Sequence, residues 1–485
     1  MWTPRRTRAY LGAVPAGGLL LLDLHAEKRP FYPALGRVFG RSSAHAAHGF
    51  VFCVLHNFGG SHGMAGELGA ARDGFDLALA STGGAGGPTA ARGLGLSMEG
   101  IEQNGFLYEG VLDHAWALAD SADANAAAAD AFEPRAAAPW RRAWVRARYA
   151  LGHGGAGGGS GRGVDADAAQ RAWACLGPLL YARPARLAGW GPPKSVFERR
   201  PTSWARTKPA AGFQPTMTHY KAAKLLPCAR ALLAAARAPD AATDALQPAA
   251  ALPEAFLYDV VDVVRQVVAD HALEASATLE ETWTRAATAN GQGDAAAADA
   301  AAATFRALAA RLERDCADTE RLLATHRRWR ASWMWLDHAG ATWEWEGAGA
   351  GGGAGAAASW EVHAAQQRQA RVLITKWDPS GQIHSYASKQ WAGLVGDVYC
   401  TRWGVFLQML RDVLAKRKQA ASTRARGHAH PPRADFARVR RAIDAIEDRW
   451  VNEGAAEGVP PGQRPPAFGD VVGVAREILG RAEFS

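Results

Sequence analysis

Glu99 is the first residue whose type and position suit chemistry. It follows the apolar run Leu94–Met98 and precedes Gly100. A carboxylate at a strand end is held rigidly, as a covalent nucleophile must be. The ordinary reading of such a Glu is a structural charge, as for Glu102, which suits a helix N-terminus. A second segment is Leu55-His56-Asn57-Phe58-Gly59-Gly60-Ser61-His62-Gly63. His56 and His62 suggest a metal, but a catalytic zinc needs three protein ligands and no third has a recognisable spacing. The glycine pair suggests a phosphate cradle, but the Lys-Ser/Thr of a P-loop is absent. A tight loop offering His56 and Asn57 to sugar hydroxyls fits the same residues. The third segment runs from Trp377 through Ile383 to Tyr386. Asp378-Pro379-Ser380-Gly381 is turn chemistry. Trp377 and Tyr386 flank that turn, where aromatics either stack on a sugar ring or pack into a core, and composition alone leaves these two equal.

Apolar runs at Leu19–Leu22, Phe50–Leu55 and Leu94–Met98 must position these groups. Runs of this kind suit a parallel sheet covered on both faces. Each ends in a polar or glycine cluster: Asp23-Leu24-His25 with Glu27, then His56-Asn57, then Glu99-Gly100. Such clusters form the active-site face of a (β/α)-barrel, with ordinary turns as the alternative. Beyond about residue 120 the period becomes helical. Phe256, Val260, Val263, Val264, Val267 and Val268 form one stripe, with Asp259, Asp262, Arg265 and Asp270 between them. Phe305, Leu308, Leu312, Cys316, Thr319 and Leu322 form a second, and Trp403, Phe406, Met409, Leu410 and Val413 a third. These stripes read as core. Gly/Ala-rich stretches near 152–163 and 347–358 read as flexible insertions.

The chain has 485 residues, room for two or three domains of ~150 residues. Only nine of its 55 basic residues are Lys, and the net charge of +8 is scattered. No basic stripe with interleaved aromatics favours nucleic acid. No apolar run reaches the ~20 residues of a membrane span, and residues 1–30 lack the pattern of a signal peptide. The five Cys lie far apart without a CxxC, and an odd number argues against a complete disulfide framework.

Taken together, the three segments resemble glycoside hydrolase family 89, the α-N-acetylglucosaminidases. The family's His-Asn-Phe-Gly-Gly-x-His-Gly loop is matched at 56–63, and its Glu-Gly-Ile-x-Gln-Asn motif at 99–104. Trp-x-Pro-x-Gly-x-Ile is matched at 377–383, and Tyr-Ala-x-Lys-Gln-x-Ala-Gly-Leu-Val at 386–395. Tyr-x-x-Arg-Trp is matched at 399–403, Asp23-Leu24 also match, and so does Leu-Gly-Ala-Val-Pro at 11–15.

The resemblance implies an α/β plus all-α protein. Residues 1–120 would be the C-terminal part of a (β/α)8 TIM barrel, its last strands only, and residues 121–485 an all-helical domain. It implies retaining exo-hydrolysis of terminal α-linked N-acetylglucosamine from heparan-sulfate-type glycans, with no metal or cofactor. Glu99 matches the nucleophile. Leu24, Leu55, His56 and Asn57 from the barrel, and Trp377, Ile383 and Tyr386 from the helices, match the sugar pocket. A helical-domain His of the family has no clear counterpart, and the segment near Gly191-Pro192-Pro193-Lys194 stands in its place. The family's acid/base Glu lies in an Asn-Glu pair upstream of every matched motif, and the only Asn-Glu here is Asn452-Glu453. The expectation is a chain truncated at its front, without its acid/base, with Glu27 as the nearest local carboxyl. The competing expectation is a non-catalytic carbohydrate-binding or scaffold protein. An open sheet edge would also invite a homo-oligomer. The compartment is not readable here, and the family implies lysosome or secretion.

Overall fold

A computed structural model describes residues 3–15, 17–34, 48–81, 91–100, 102–120, 137–151, 163–182, 191–201, 218–237, 252–341, 354–377, 384–421, 433–453, 469–481 and 484. The chain divides into two compact units. The first comprises Met1–Gly159, Ala169–Pro193 and Gly212–Pro215; the second comprises Ser160–Ala168, Lys194–Ala211 and Thr216–Ser485.

In the first unit, the three apolar runs form β1 (Leu20–Asp23), β2 (Gly49–Val54) and β3 (Ala91–Leu96), parallel and in the order β1-β2-β3. Leu21 pairs with Phe50, and Phe52 with Leu94. Helices precede and follow them: α1 (Pro4–Leu11), α2 (Leu68–Ser81) after β2, and α3 (Gly105–Asp120) after β3. Strand, then helix, then parallel strand is the repeating step of a (β/α) barrel. Burial on both faces holds for β2, where Phe50 and Phe52 are buried. It does not hold for β1. Leu20 and Leu22 are 57% and 60% exposed, because the described residues pair β1 with β2 alone.

Two further helices, α4 (Ala137–Arg148) and α5 (Ala166–Tyr181), extend this unit past residue 120. Aromatic packing accounts for that. Phe106 of α3 lies 5.1 Å from Trp144 of α4, edge to face, and stacks on Trp173 of α5 at 5.3 Å. Trp144 Nε1 donates to Glu109 and Trp173 Nε1 to the Tyr149 hydroxyl, so both indoles are buried without an orphaned N–H.

The second unit is built on helices α6 (Leu225–Ala234), α7 (Glu254–Gln292), α8 (Ala295–Ala324), α9 (Ala354–Thr375), α10 (Thr401–Ala421), α11 (Arg433–Glu453) and α12 (Val471–Leu479). The three predicted stripes lie on α7, α8 and α10 and are core, with Leu308 half-buried at the edge of its stripe. α7 ends at Gly293, left-handed at φ 78°, and Asp294 caps α8 by accepting from the Ala297 amide. One expectation is corrected. Ala354–Ala358, read as part of a flexible Gly/Ala stretch, begins α9, since alanine is the strongest helix former. Most of the 152–163 insertion lies outside the described residues.

A disulfide joins Cys316 of α8 to Cys400, which ends the π-helical stretch Val395–Cys400 before α10. The cysteines are 84 residues apart, and a bridge over that span restricts the unfolded chain by about 4.5 kcal/mol in the chain-entropy account. Cys53 is free and buried.

Candidate active site

In the first unit, the C-terminal ends of the three strands are tied together by polar contacts. Asp23 Oδ2 accepts from the Phe31 and Tyr32 amides at 2.6 and 2.9 Å and closes the turn after β1. Leu24 is exposed, and its carbonyl accepts from Ser97 Oγ beyond β3 at 2.7 Å. Glu27 Oε1 accepts from the amides of Leu55 and His56 at 3.1 and 2.9 Å. Glu99, exposed at the end of β3, accepts from the Gly59 amide at 2.5 Å. The loop after β2 is thus held at both ends by carboxylates, one from each flanking strand.

The interior of that loop is held by α3. His56 Nε2 lies 2.7 Å from the Ala65 carbonyl, which only accepts, so Nε2 carries the proton. In the neutral ring Nδ1 then accepts from the Tyr108 hydroxyl at 2.8 Å. Asn57 Nδ2 donates to the same hydroxyl at 2.8 Å. Burial pushes the Tyr108 phenol well above its ordinary value, so it stays a donor. Both His56 nitrogens are therefore engaged within the protein, and Asn57 is fully buried with its Oδ1 unpartnered. The two polar residues hold the loop from beneath, while half-buried Leu55 and exposed Leu24 lie nearer its surface. Asn104 Nδ2 donates to the Gly63 carbonyl at 3.1 Å, fastening the 99–104 motif to the loop. A Cβ on Gly63 would stand 2.0 Å from the Pro193 carbonyl oxygen, so the Gly191–Pro193 segment packs on backbone that only glycine allows.

Glu27 is 5% exposed, and its Oε2 is buried without a partner. Burial raises its carboxyl from 4.5 to about 6, against the lowering effect of the His56 and Leu55 amides. His25, 3.6 Å away, is pushed down to about 4 by burial and by Lys28 and Arg29, so it is neutral when Glu27 titrates. A carboxyl raised by folding is most favourable to stability below its unfolded value of 4.5 and loses that contribution as pH rises through about 6. The full difference is about 2 kcal/mol. Glu27→Gln is therefore expected to melt at or above wild type at pH 7.5 and to lose that advantage at pH 4.5. Thermal melts placing Glu27→Gln below wild type at both pH values would contradict it.

The second unit holds Trp377 and Tyr386. Composition left them undecided between surface and core; Trp377 is 41% exposed and packs on Tyr386 with ring centroids 4.7 Å apart. Ile383 lies outside the described residues. Trp377 ends α9 with φ 58°, its amide donating to the Val372 carbonyl at 2.8 Å. Of the seven described non-glycine residues with positive φ, five fall in the three segments, His56, Glu102, Asn104, Trp377 and Ser385, and a sixth, Ser388, follows in the 386–395 motif. Such positions cost on the order of 1–3 kcal/mol each and persist where surrounding contacts impose them.

Residues 1–118 match the family described as "Alpha-N-acetylglucosaminidase (NAGLU) tim-barrel domain", and residues 140–480 match "Alpha-N-acetylglucosaminidase (NAGLU) C-terminal domain". The chain belongs to the α-N-acetylglucosaminidase family. It is similar to human (Homo sapiens) α-N-acetylglucosaminidase, 29% identical over 429 residues, which are 86% of this chain and 44% of the human protein. Its fold is shared with a family 89 glycoside hydrolase from Clostridium perfringens in complex with 2-acetamido-1,2-dideoxynojirimycin, at TM-score 0.66 and 18% identity, over 99% of this chain and 44% of that one. A double glutamate-to-glutamine variant of the Clostridium perfringens protein, in complex with its substrate GlcNAc-α-1,4-galactose, matches at the same TM-score and identity over 99% of this chain and 43% of that one. The chain thus spans less than half the length of these relatives. Its three parallel strands, with α1, α2 and α3, fall in the part matched to the family's barrel, and the helices from α4 onward fall in the part matched to its C-terminal domain.

Sequence reasoning did not find Tyr108, which has no motif of its own and meets His56 and Asn57 only through the packing of α3. Glu447, which pairs with Arg402, was also not singled out, and Lys194 was named only as part of the Gly191-Pro192-Pro193-Lys194 segment. Arg402 did carry a signal, since it is the Arg of Tyr399-Cys400-Thr401-Arg402-Trp403.

Proposed function

We propose that this family 89 chain carries the nucleophile side of a retaining exo-glycosidase acting on terminal α-linked N-acetylglucosamine, as in heparan-sulfate-type glycans. The observation that carries this reading is Glu99, at the end of a parallel strand, with one oxygen held by the Gly59 amide of the neighbouring strand's loop. A nucleophile must be held in place, and an amide donor at a strand end does that. Leu24 and Leu55 form the apolar wall of the sugar site, and His56 and Asn57 set the loop that shapes it. In the second unit, the family motif marks Trp377, Ile383 and Tyr386 as further sugar-binding residues, and the tilted Trp377–Tyr386 pair is a stacking surface.

Retention also needs a second carboxyl about 5 Å from the first, serving as acid and then base. None of the matched motifs provides it. Glu27 is a poor substitute in geometry, since one of its oxygens is engaged by two loop amides and the other is buried. These 485 residues alone are accordingly expected to leave an unactivated α-N-acetylglucosaminide intact. The domain boundary belonging to this reading lies near residue 120, with the barrel part before it and the all-α domain after it. The Cys316–Cys400 bridge supports an oxidising compartment, lysosomal or extracellular.

The test is calorimetric titration with 2-acetamido-1,2-dideoxynojirimycin. The expected result is saturable binding that weakens about tenfold, ~1.4 kcal/mol, in Trp377→Ala. Absence of binding at millimolar ligand in a folded sample would overturn the reading.

A further inference from the structure

Ser385 precedes Tyr386 in the chain, and every polar group it has is engaged. Its amide donates to the Thr375 carbonyl in the last turn of α9 at 2.5 Å. Its carbonyl accepts from Lys194 Nζ at 3.3 Å, from the Ser388 amide at 3.1 Å and from Ser388 Oγ at 2.9 Å. Its hydroxyl accepts from Arg402 Nη2 at 3.0 Å. Ser385 is nevertheless left-handed, at φ 50°, and Ser388 is too, at φ 46°. A serine does not adopt that backbone by preference, so the surrounding donors impose it.

Those donors are themselves fixed. Arg402 is fully buried, 3.4 Å from Glu447 of α11 and with its guanidinium 4.8 Å from the Tyr399 ring. Lys194 is buried, and its charge is countered by Glu198, which accepts from Gln390 Nε2 at 2.6 Å and from the Ser195 amide at 3.3 Å. Gln390 in turn lies 3.5 Å from Arg265 of α7, whose own partner is Asp262. Two buried donors, reaching Ser385 from different elements, thus converge on one residue.

We propose that Lys194 and Arg402 are positioning residues that lock Ser385 in its left-handed turn and so aim the Tyr386 ring at Trp377. Neither touches the sugar. This rests on reading the Trp377–Tyr386 pair as the sugar's stacking surface. The mechanism is conformational. The backbone at Ser385, held against the end of α9, sets the direction in which the chain enters Tyr386, the next side chain. Loosening the turn releases the ring without removing it. The clamp would also keep the stacking surface formed in the absence of ligand, so that binding does not have to order it.

The test uses the full chain and two gentle substitutions, Ser385→Ala and Lys194→Met, each alone and combined with Tyr386→Leu. The first readout needs no ligand: the near-ultraviolet circular dichroism that depends on Tyr386, taken as the difference between a protein and its Tyr386→Leu counterpart. The expected result is loss of more than half of that signal in both Ser385→Ala and Lys194→Met, with cooperative melting retained. The second readout is affinity for 2-acetamido-1,2-dideoxynojirimycin. It is expected to fall about tenfold in each variant and to fall no further when Tyr386 is already Leu. An unchanged dichroism signal in both variants overturns the proposal, as does an affinity loss that persists in full without Tyr386. Loss of the signal in proteins that never bind the iminosugar leaves the clamp standing and removes the sugar reading instead.

Discussion

Mixed with 2,4-dinitrophenyl N-acetyl-α-D-glucosaminide, the chain is expected to release a single burst of dinitrophenolate and to carry the sugar covalently on Glu99. The reason lies in dividing the work between two carboxyls. Glycosylation needs the nucleophile and, for an ordinary alcohol, an acid to protonate the departing oxygen. Dinitrophenolate is so weak a base that it departs without protonation, so a site with only the nucleophile completes the first step. Hydrolysis of the glycosyl-enzyme then needs a base to activate water. Without one the intermediate persists. Azide, which needs no base, should accelerate turnover by about 10²–10⁴-fold, the usual scale of a missing general acid–base group. Glu99→Gln should show no burst, no label and no response to azide. Peptide mass spectrometry locates the label, and a label on another carboxyl, such as Glu27, would refute the assignment. Steady hydrolysis of an unactivated glycoside that disappears in Glu99→Gln would reveal an acid within these 485 residues.

The second large effect is on stability. Glu447 is fully buried and meets three groups: Arg200 with Nε at 2.7 Å and Nη2 at 3.1 Å, Arg402 Nη1 at 3.4 Å, and His384 Nδ1 at 3.2 Å. Glu447→Leu leaves Arg402 buried with its counter-charge gone, which is expected to cost about 3–5 kcal/mol. Adding Arg402→Met should restore a large part of that loss, since an apolar pair in the same space carries no unpaired charge. Urea unfolding of the two variants and wild type makes the comparison. A double variant less stable than Glu447→Leu would contradict the account. The pH dependence has a definite sign. Burial pushes the Glu447 carboxyl up, but the His384 ring and the Arg402 and Arg200 guanidiniums outweigh it and hold the carboxyl below its ordinary 4.5. A carboxyl lowered by folding contributes stability that is present above 4.5 and lost as pH falls below it. Wild type should therefore lose stability through the acid range more steeply than the double variant. This is opposite in sign to Glu27, whose raised carboxyl favours the folded state at low pH.

Much of the architecture was legible in the sequence because it follows from local periodicity. The three apolar runs became β1, β2 and β3, within a few residues at each end. The three helical stripes became the buried faces of α7, α8 and α10. The motif at 99–104 and the loop at 56–63 met as neighbouring strand ends, because parallel strands in sequence order bring their following segments side by side. Periodicity said less about the polar residues between the apolar ones. Asp259, Asp262, Arg265 and Asp270 stand where α7 would ordinarily face water, yet all four are buried. Arg265 finds its partners in Asp262 on its own helix and in Gln390, 125 residues away.

Residue types and their order determined the strands, the helices, the family motifs and Glu99 at its strand end, since each depends on neighbours a few residues away. The tertiary structure alone decided that Glu27 grips the His56 loop, that Tyr108 holds His56 and Asn57 from beneath, and that Trp377 faces outward onto Tyr386. It also decided that Lys194 and Arg402 converge on Ser385 and that Glu447 pairs with Arg402. These are contacts between buried polar groups far apart in sequence. A single hydrogen bond or ion pair leaves no periodic trace in the chain, and its partner is chosen only when packing removes the water that either group would otherwise bind.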